Sequence, residues 1–179
     1  MMMMTTIHLI KMKTSMTTIK HFYQPTGNTC GPTCIYMVWF YLVNKDNIIY
    51  RTCKDSDGFI EMKYNIRDIA HFCGTDWIVG TPPDRMENGM CNLGLNYVEY
   101  ISSPHPYDLL RTIIDSGNVS MLRTITRGVP HWIIVNGYDE NVFNVLDPWL
   151  GEIKYSIEQL DSIWKVRDYQ FFEITGYEH

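Results

Sequence analysis

Ten consecutive residues, Cys34-Ile35-Tyr36-Met37-Val38-Trp39-Phe40-Tyr41-Leu42-Val43, carry no charge and offer almost no polar side to water. Thr29 as a cap and Pro32 near the first turn mark them as the body of a helix. A helix that is apolar nearly all round has to be buried. The rest of the chain must therefore cover it.

Two further helices are expected in the first half. One spans Tyr64–Phe72, capped by Asn65 and stopped by Gly74, with Ile66, Ile69 and Ala70 on one face. The other spans Pro106–Ser116, with Leu109, Leu110, Ile113 and Ile114 as its stripe and Gly117 after its end. The second half reads as strands rich in Ile, Val, Tyr, Phe and Trp: Val119–Thr126, His131–Tyr138, Asn141–Leu146, Glu152–Tyr155 and Tyr169–Thr175. Asp139-Glu140-Asn141 is a short turn, which makes a hairpin of the strands on either side. A short helix, Ile157–Trp164, opens with a capping box of Ser156 and Gln159. Residues Gly74–Ser103, dense in Gly, Pro and Asn, read as long loops. Helices first and antiparallel strands second make an α+β protein.

Composition narrows the function. An apolar share of 45% and a charged share of 20% belong to a globular chain. The net charge is −5 and the basic residues are scattered, which argues against nucleic acid as a partner. No apolar run approaches the roughly 18–20 residues of a membrane helix. Five cysteines cannot complete a disulfide framework, and their spacing fits no zinc template, so free thiols in a reducing, cytoplasmic compartment are expected. Residues 1–20 read as a flexible leader without a secretory core or cleavage site, and residues 21–179 as one domain, expected to be a monomer. Such a leader also fits an export signal without a cleaved signal peptide, and Met1–Met4 and Met16 are all candidate starts.

The chemistry concentrates in three segments. The first is Tyr23-Gln24-Pro25-Thr26-Gly27-Asn28-Thr29-Cys30-Gly31-Pro32-Thr33-Cys34. Cys30 at the start of a buried helix meets the positive end of the helix dipole and free N–H groups, which stabilise a thiolate. Gly31 removes bulk beside the sulfur. Gln24 offers an amide to a developing oxyanion, alongside the Cys30 backbone N–H. The second segment is His131-Trp132-Ile133-Ile134-Val135-Asn136-Gly137-Tyr138-Asp139, with His131 opening a strand at a sheet rim. The third is Val145-Leu146-Asp147-Pro148-Trp149, at the end of the hairpin partner. A turn at 139–141 sets the start of one strand against the end of the next and brings His131 to Asp147. Asn144 and Asp139 are alternative orienters, and Cys34, one helical turn after Cys30, is either a core residue or a resolving thiol. Trp132, Trp149 and Gly31 are the candidate substrate-binding residues. His21, His71 and His105 are read as structural or exposed, Cys53, Cys73 and Cys91 as packing or loop thiols, and the rings of Trp77 and Trp164 as core.

Taken in order, Q-x5-C-G-P-x-C, H-W-I-I-V-N-G-Y-D and L-D-P resemble the bacteriocin-leader (double-glycine) peptidase-like group of the papain superfamily, a bacterial group, from about Tyr23 to about Gln159. The resemblance implies a papain-like fold, with a helical lobe carrying the nucleophile packed on an antiparallel sheet carrying the base. It implies Cys30 as nucleophile, His131 as base, Asp147 as orienter and Gln24 in the oxyanion hole, with no cofactor or metal and a protein or peptide as substrate. The founding members carry this domain on a membrane transporter, of which these 179 residues show no part. Effector enzymes that deamidate glutamine side chains share the architecture and the Cys-His-Asp set, so a glutamine deamidase or transglutaminase is the alternative activity. A non-catalytic binding module is the third reading.

Overall fold

The computed structural model describes residues 14–45 and 63–178. Its centre is an antiparallel sheet of seven strands: β1 Thr14–Met16, β2 Leu95–Tyr100, β3 Val119–Thr126, β4 Val129–Asp139, β5 Val142–Asp147, β6 Gly151–Ser156 and β7 Phe171–Tyr177. Six of them run in the order β2-β7-β3-β4-β5-β6, and β1 pairs with the far end of β4.

Both faces of this sheet are covered. On one lie α1 (Cys30–Lys45), α2 (Ile66–Cys73) and α3 (Pro83–Asn92), packed on Met121, Trp132, Ile134, Leu146 and Phe172. On the other lie α4 (Pro106–Asp115) and α5 (Ile157–Trp164), packed on Leu122, Ile133, Val135, Val145 and Phe171. This explains why Trp132 to Val135 is an unbroken apolar run: alternate side chains enter different cores. Helix α1 is buried from Cys30 through Trp39, as its all-round apolar surface demands.

Local signals set the helix ends. The Asn65 side chain accepts from the N–H groups of Arg67 and Asp68, the Asp68 carboxylate accepts from the Asn65 N–H, and Gly74 closes α2 at φ 62°. Ser156 and Gln159 form the reciprocal box at the start of α5.

Two expectations need correction. Residues 74–103 are not long loops, because they contain α3 and β2. Helix α3 is hard to read because Gly89 and several Asn dilute it. A side chain at Gly89 would collide with the Cys73 sulfur, so the glycine serves the close packing of α2 on α3. Strand β2 sits at the sheet edge, where only Leu95 is buried and the charged Glu99 is exposed. The leader expected over 1–20 is the second: residues 1–13 lie outside the described residues, but Thr14–Met16 form β1 and Thr17 and Ile19 are buried.

Candidate active site

Cys30 is the first residue of α1 and is 6% exposed. The carbonyl of Thr29, just before it, accepts from the N–H and the hydroxyl of Thr33, which fixes the first turn. The end of the sheet faces this helix start, and the β4–β5 hairpin supplies the remaining groups.

The Nε2 of His131 lies 2.8 Å from Oδ1 of Asp147, with both side chains almost wholly buried. A hairpin alone does not produce this contact. Near the turn, Asp139 pairs with Val142 and Tyr138 with Phe143; continued at that register, Asp147 would face Ile134 and point away from His131. A bulge between Val135 and Gly137 shifts the pairing by one, so that Ile134 meets Leu146. Asp147 is thereby turned to the face of His131. Asn136 is the extra residue, and the amino-terminal segment holds it. Its carbonyl accepts from the Thr17 N–H at 2.7 Å, and its side-chain amide donates to the Thr17 carbonyl at 2.9 Å.

Asp147 is fully buried. Its Oδ1 also accepts from the N–H groups of Trp149 and Leu150, at 2.7 and 3.1 Å, so one oxygen closes the Asp-Pro turn and faces the imidazole. The Asp147 backbone carbonyl meets His21 Nε2 at 2.8 Å, and the Pro148 carbonyl accepts from the Gln24 N–H at 2.8 Å. The segment carrying Gln24 is thus fastened to the turn carrying Asp147.

Burial alone would hold His131 neutral, but hydrogen bonds to Asp147 and to Cys30 outweigh it and push the imidazole up to about 9. Burial likewise pushes Asp147 up, and it still lies below the ordinary carboxylate range because His131 and the two turn N–H groups bond its charged form. Nε2 belongs to Asp147, which leaves Nδ1 for the sulfur. Together these contacts favour an imidazolium beside a sulfur at a helix N-terminus, an arrangement suited to nucleophilic attack. Burial, with the nearby Cys30 and Asp147, keeps the Cys34 thiol well above its usual value. Cys34 is completely enclosed and fits the core reading.

The other candidates divide. Gln24 is half-buried; its amide nitrogen donates to the Thr26 carbonyl at 2.7 Å, and its Oε1 is buried without a protein partner. Trp149 lies edge-on to His131 with centroids 6.1 Å apart, and the Arg127 guanidinium sits 4.9 Å from its ring. Trp132 lines the cleft but is only 3% exposed, stacked on Phe172, with its indole N–H donating to the Thr81 carbonyl at 2.8 Å. Gly31 is absent from the cleft wall; a Cβ there would stand 2.6 Å from the Met86 sulfur and 3.1 Å from Thr81 Cβ. The absence of a side chain at Gly31 lets α1 approach Met86 of α3 and Thr81 closely. Cys53 lies outside the described residues.

Cys30 opens into a cleft of about 760 Å³. One wall is the turn Trp77-Ile78-Val79, which the sequence reading missed and whose Trp77 it had placed in the core. The Asp76 carboxylate accepts from the N–H groups of Ile78 and Val79, and Asp76 pairs with Gly80 on both sides, so the three side chains are held outward. Trp77 is 80% exposed. The signal was the Asx-type turn chemistry of Asp76 and Gly80. Arg123, also missed, lines the cleft; its signal was one cation within the apolar strand Val119–Thr126.

A family model described as the Peptidase_C39 like family matches residues 16–171. No curated protein matches the chain. Among solved structures it is similar to the peptidase domain of Streptococcus ComA, a bi-functional ABC transporter of a quorum-sensing pathway, with TM-score 0.65 and 16% identity over 88% of this chain and 98% of that one. It is also similar to a double glycine motif protease from an AMS/PCAT transporter, solved with the leader peptide: TM-score 0.64 and 16% identity over 90% and 95% of the two chains. The Streptococcus mutans ComA peptidase domain aligns with TM-score 0.59 and 14% identity over 87% and 98%.

Proposed function

Taking as premise that the chain belongs to the Peptidase_C39 like family, we propose that it is a cysteine peptidase cleaving an amide bond in an extended peptide or protein segment. The observation that carries this is the buried His131–Asp147 contact of 2.8 Å, set beside Cys30 at the floor of an open cleft. The cleft volume of about 760 Å³ suits several residues of a peptide.

In this reading the Cys30 thiolate attacks the carbonyl carbon, and the carbonyl π pair moves onto oxygen. The Cys30 N–H and the Gln24 amide stabilise that oxyanion, the amide through the N–H not given to Thr26. The tetrahedral adduct collapses, the C–N bond breaks, and His131 Nδ1 gives its proton to the leaving amine. His131, now neutral, takes a proton from water as it attacks the thioester, and the carboxylic acid leaves with Cys30 restored. Asp147 keeps the ring oriented and stabilises its charged form.

The test is a digest of protein and peptide mixtures with the parent chain and with Cys30→Ala, scored by mass spectrometry for new chain ends and by enzymatic assay for ammonia. New termini that need Cys30 support the proposal. Ammonia without new termini points to a glutamine deamidase, and neither product points to a binding module.

A further inference from the structure

Among the described residues lining the cleft, Arg123 alone carries a permanent charge; the others are apolar or neutral, and Cys30 is one of them. Arg123 pairs with Trp132 across β3 and β4, which puts it on the α1 side of the sheet with Met121. It stands just past the last pair of β3 with β7, Leu122 with Phe171. Its Nη1 donates to Gln170 Oε1 at 2.8 Å, and Gln170 in turn donates to Glu99 at 2.7 Å, so the guanidinium is anchored from behind. No carboxylate forms an ion pair with it among the described residues, and Nε and Nη2 have no protein partner there. Half-buried Arg167 is close enough to add a like charge, and its own Nε is buried without a partner. Burial and Arg167 both act against the charge on Arg123, and Asp84 and Glu99 offset this in part from a distance.

A half-buried guanidinium with its fork unfilled, in an otherwise neutral cleft, is the complement of a carboxylate. We propose that Arg123 determines specificity by binding a carboxylate of the peptide, an Asp or Glu side chain or a free carboxyl terminus, while Cys30 faces the scissile bond. This rests on the peptidase reading above and names a feature of its substrate. Trp77, Ile78 and Val79 form the apolar wall along which the rest of the segment lies.

The test uses acetyl-tetraalanyl chloromethyl ketone, with Asp or Asn replacing each of the first three alanines in turn, and follows labelling of Cys30. In the parent chain, one Asp probe is expected to label about tenfold or more faster than its Asn partner. Arg123→Gln is expected to bring each Asp probe down to the rate of its Asn partner, and Arg123→Lys to keep part of the preference. A second arm compares acetyl-tetraalanine with a free or an amidated carboxyl end as protectant of Cys30 against iodoacetamide; protection by the free acid alone assigns the carboxylate to the chain terminus. The inference is overturned if no acidic probe or free acid outperforms its neutral match, or if the preference survives in Arg123→Gln. It also falls if the variant slows every probe alike, which marks a structural role. Failure of the peptidase reading looks different: Cys30 then reacts with iodoacetamide no faster than the other thiols, whatever stands at position 123.

Discussion

Replacing Asp147 separates the charge of this residue from its hydrogen bonds. In Asp147→Asn the side-chain oxygen can still accept from Trp149 and Leu150, which close the turn at 2.7 and 3.1 Å. What disappears is the charge-assisted bond to His131 at 2.8 Å. Such a bond contributes about 1.5–3 kcal/mol, which corresponds to about one to two units on the imidazole. His131, held at about 9 in the parent, should therefore titrate about one to two units lower, because burial now meets weaker opposition. Asp147→Ala also leaves two N–H groups of a part-buried turn without their acceptor and should cost about 1 kcal/mol more in stability than Asp147→Asn. Imidazole NMR titration reads the first effect and denaturant unfolding the second. An unchanged His131 titration in Asp147→Asn would refute the assigned role of the carboxylate, and equal stability of the two variants would refute the turn argument.

Other outcomes follow from the same contacts. His131 binds its proton more tightly folded, at about 9, than unfolded, near 6.5. The stability this contributes, at most about 3 kcal/mol, is complete below pH 6.5 and lost as pH rises through about 9. Unfolding midpoints against pH should show that decline in the parent and not in His131→Gln. Asn136→Ala removes the 2.9 Å bond that holds the bulge to Thr17; it should cost about 1–2 kcal/mol in chemical denaturation and slow Cys30 alkylation, whereas an effect on stability alone would separate the bulge from the site. Gly31→Ala places a methyl group 2.6 Å from the Met86 sulfur and should lower stability by about 1–3 kcal/mol with little change in peptide KM.

Much of this was legible because each signal is local. The all-round apolar surface of α1 announced burial, and the Ser156 box marked α5 to the residue. Asn65 was read as the cap of α2, which starts at Ile66 and ends at Cys73 rather than spanning Tyr64–Phe72. The meeting of His131 and Asp147 was also read correctly, although by an incomplete argument. The hairpin brings their strand ends together, but the bulge at Asn136 decides which face Asp147 takes, and its brace is Thr17, 119 residues away in sequence. No local pattern encodes that. Helix α3 and strand β2 escaped because their stability comes from packing against Cys73, Ile35 and β7 rather than from propensity. Arg123 was passed over because a lone cation in a strand acquires meaning only when the other walls of its cleft are neutral.

The central claim is that Cys30 and His131 act as a thiolate–imidazolium pair. The most direct test is the rate of Cys30 alkylation by iodoacetamide from pH 5 to 9, resolved by site in a mass spectrometer, for the parent chain and His131→Ala. The account predicts that Cys30 reacts far faster than the other four cysteines, and that His131→Ala loses this advantage. A Cys30 that reacts no faster than the others, or that is indifferent to His131, would contradict it.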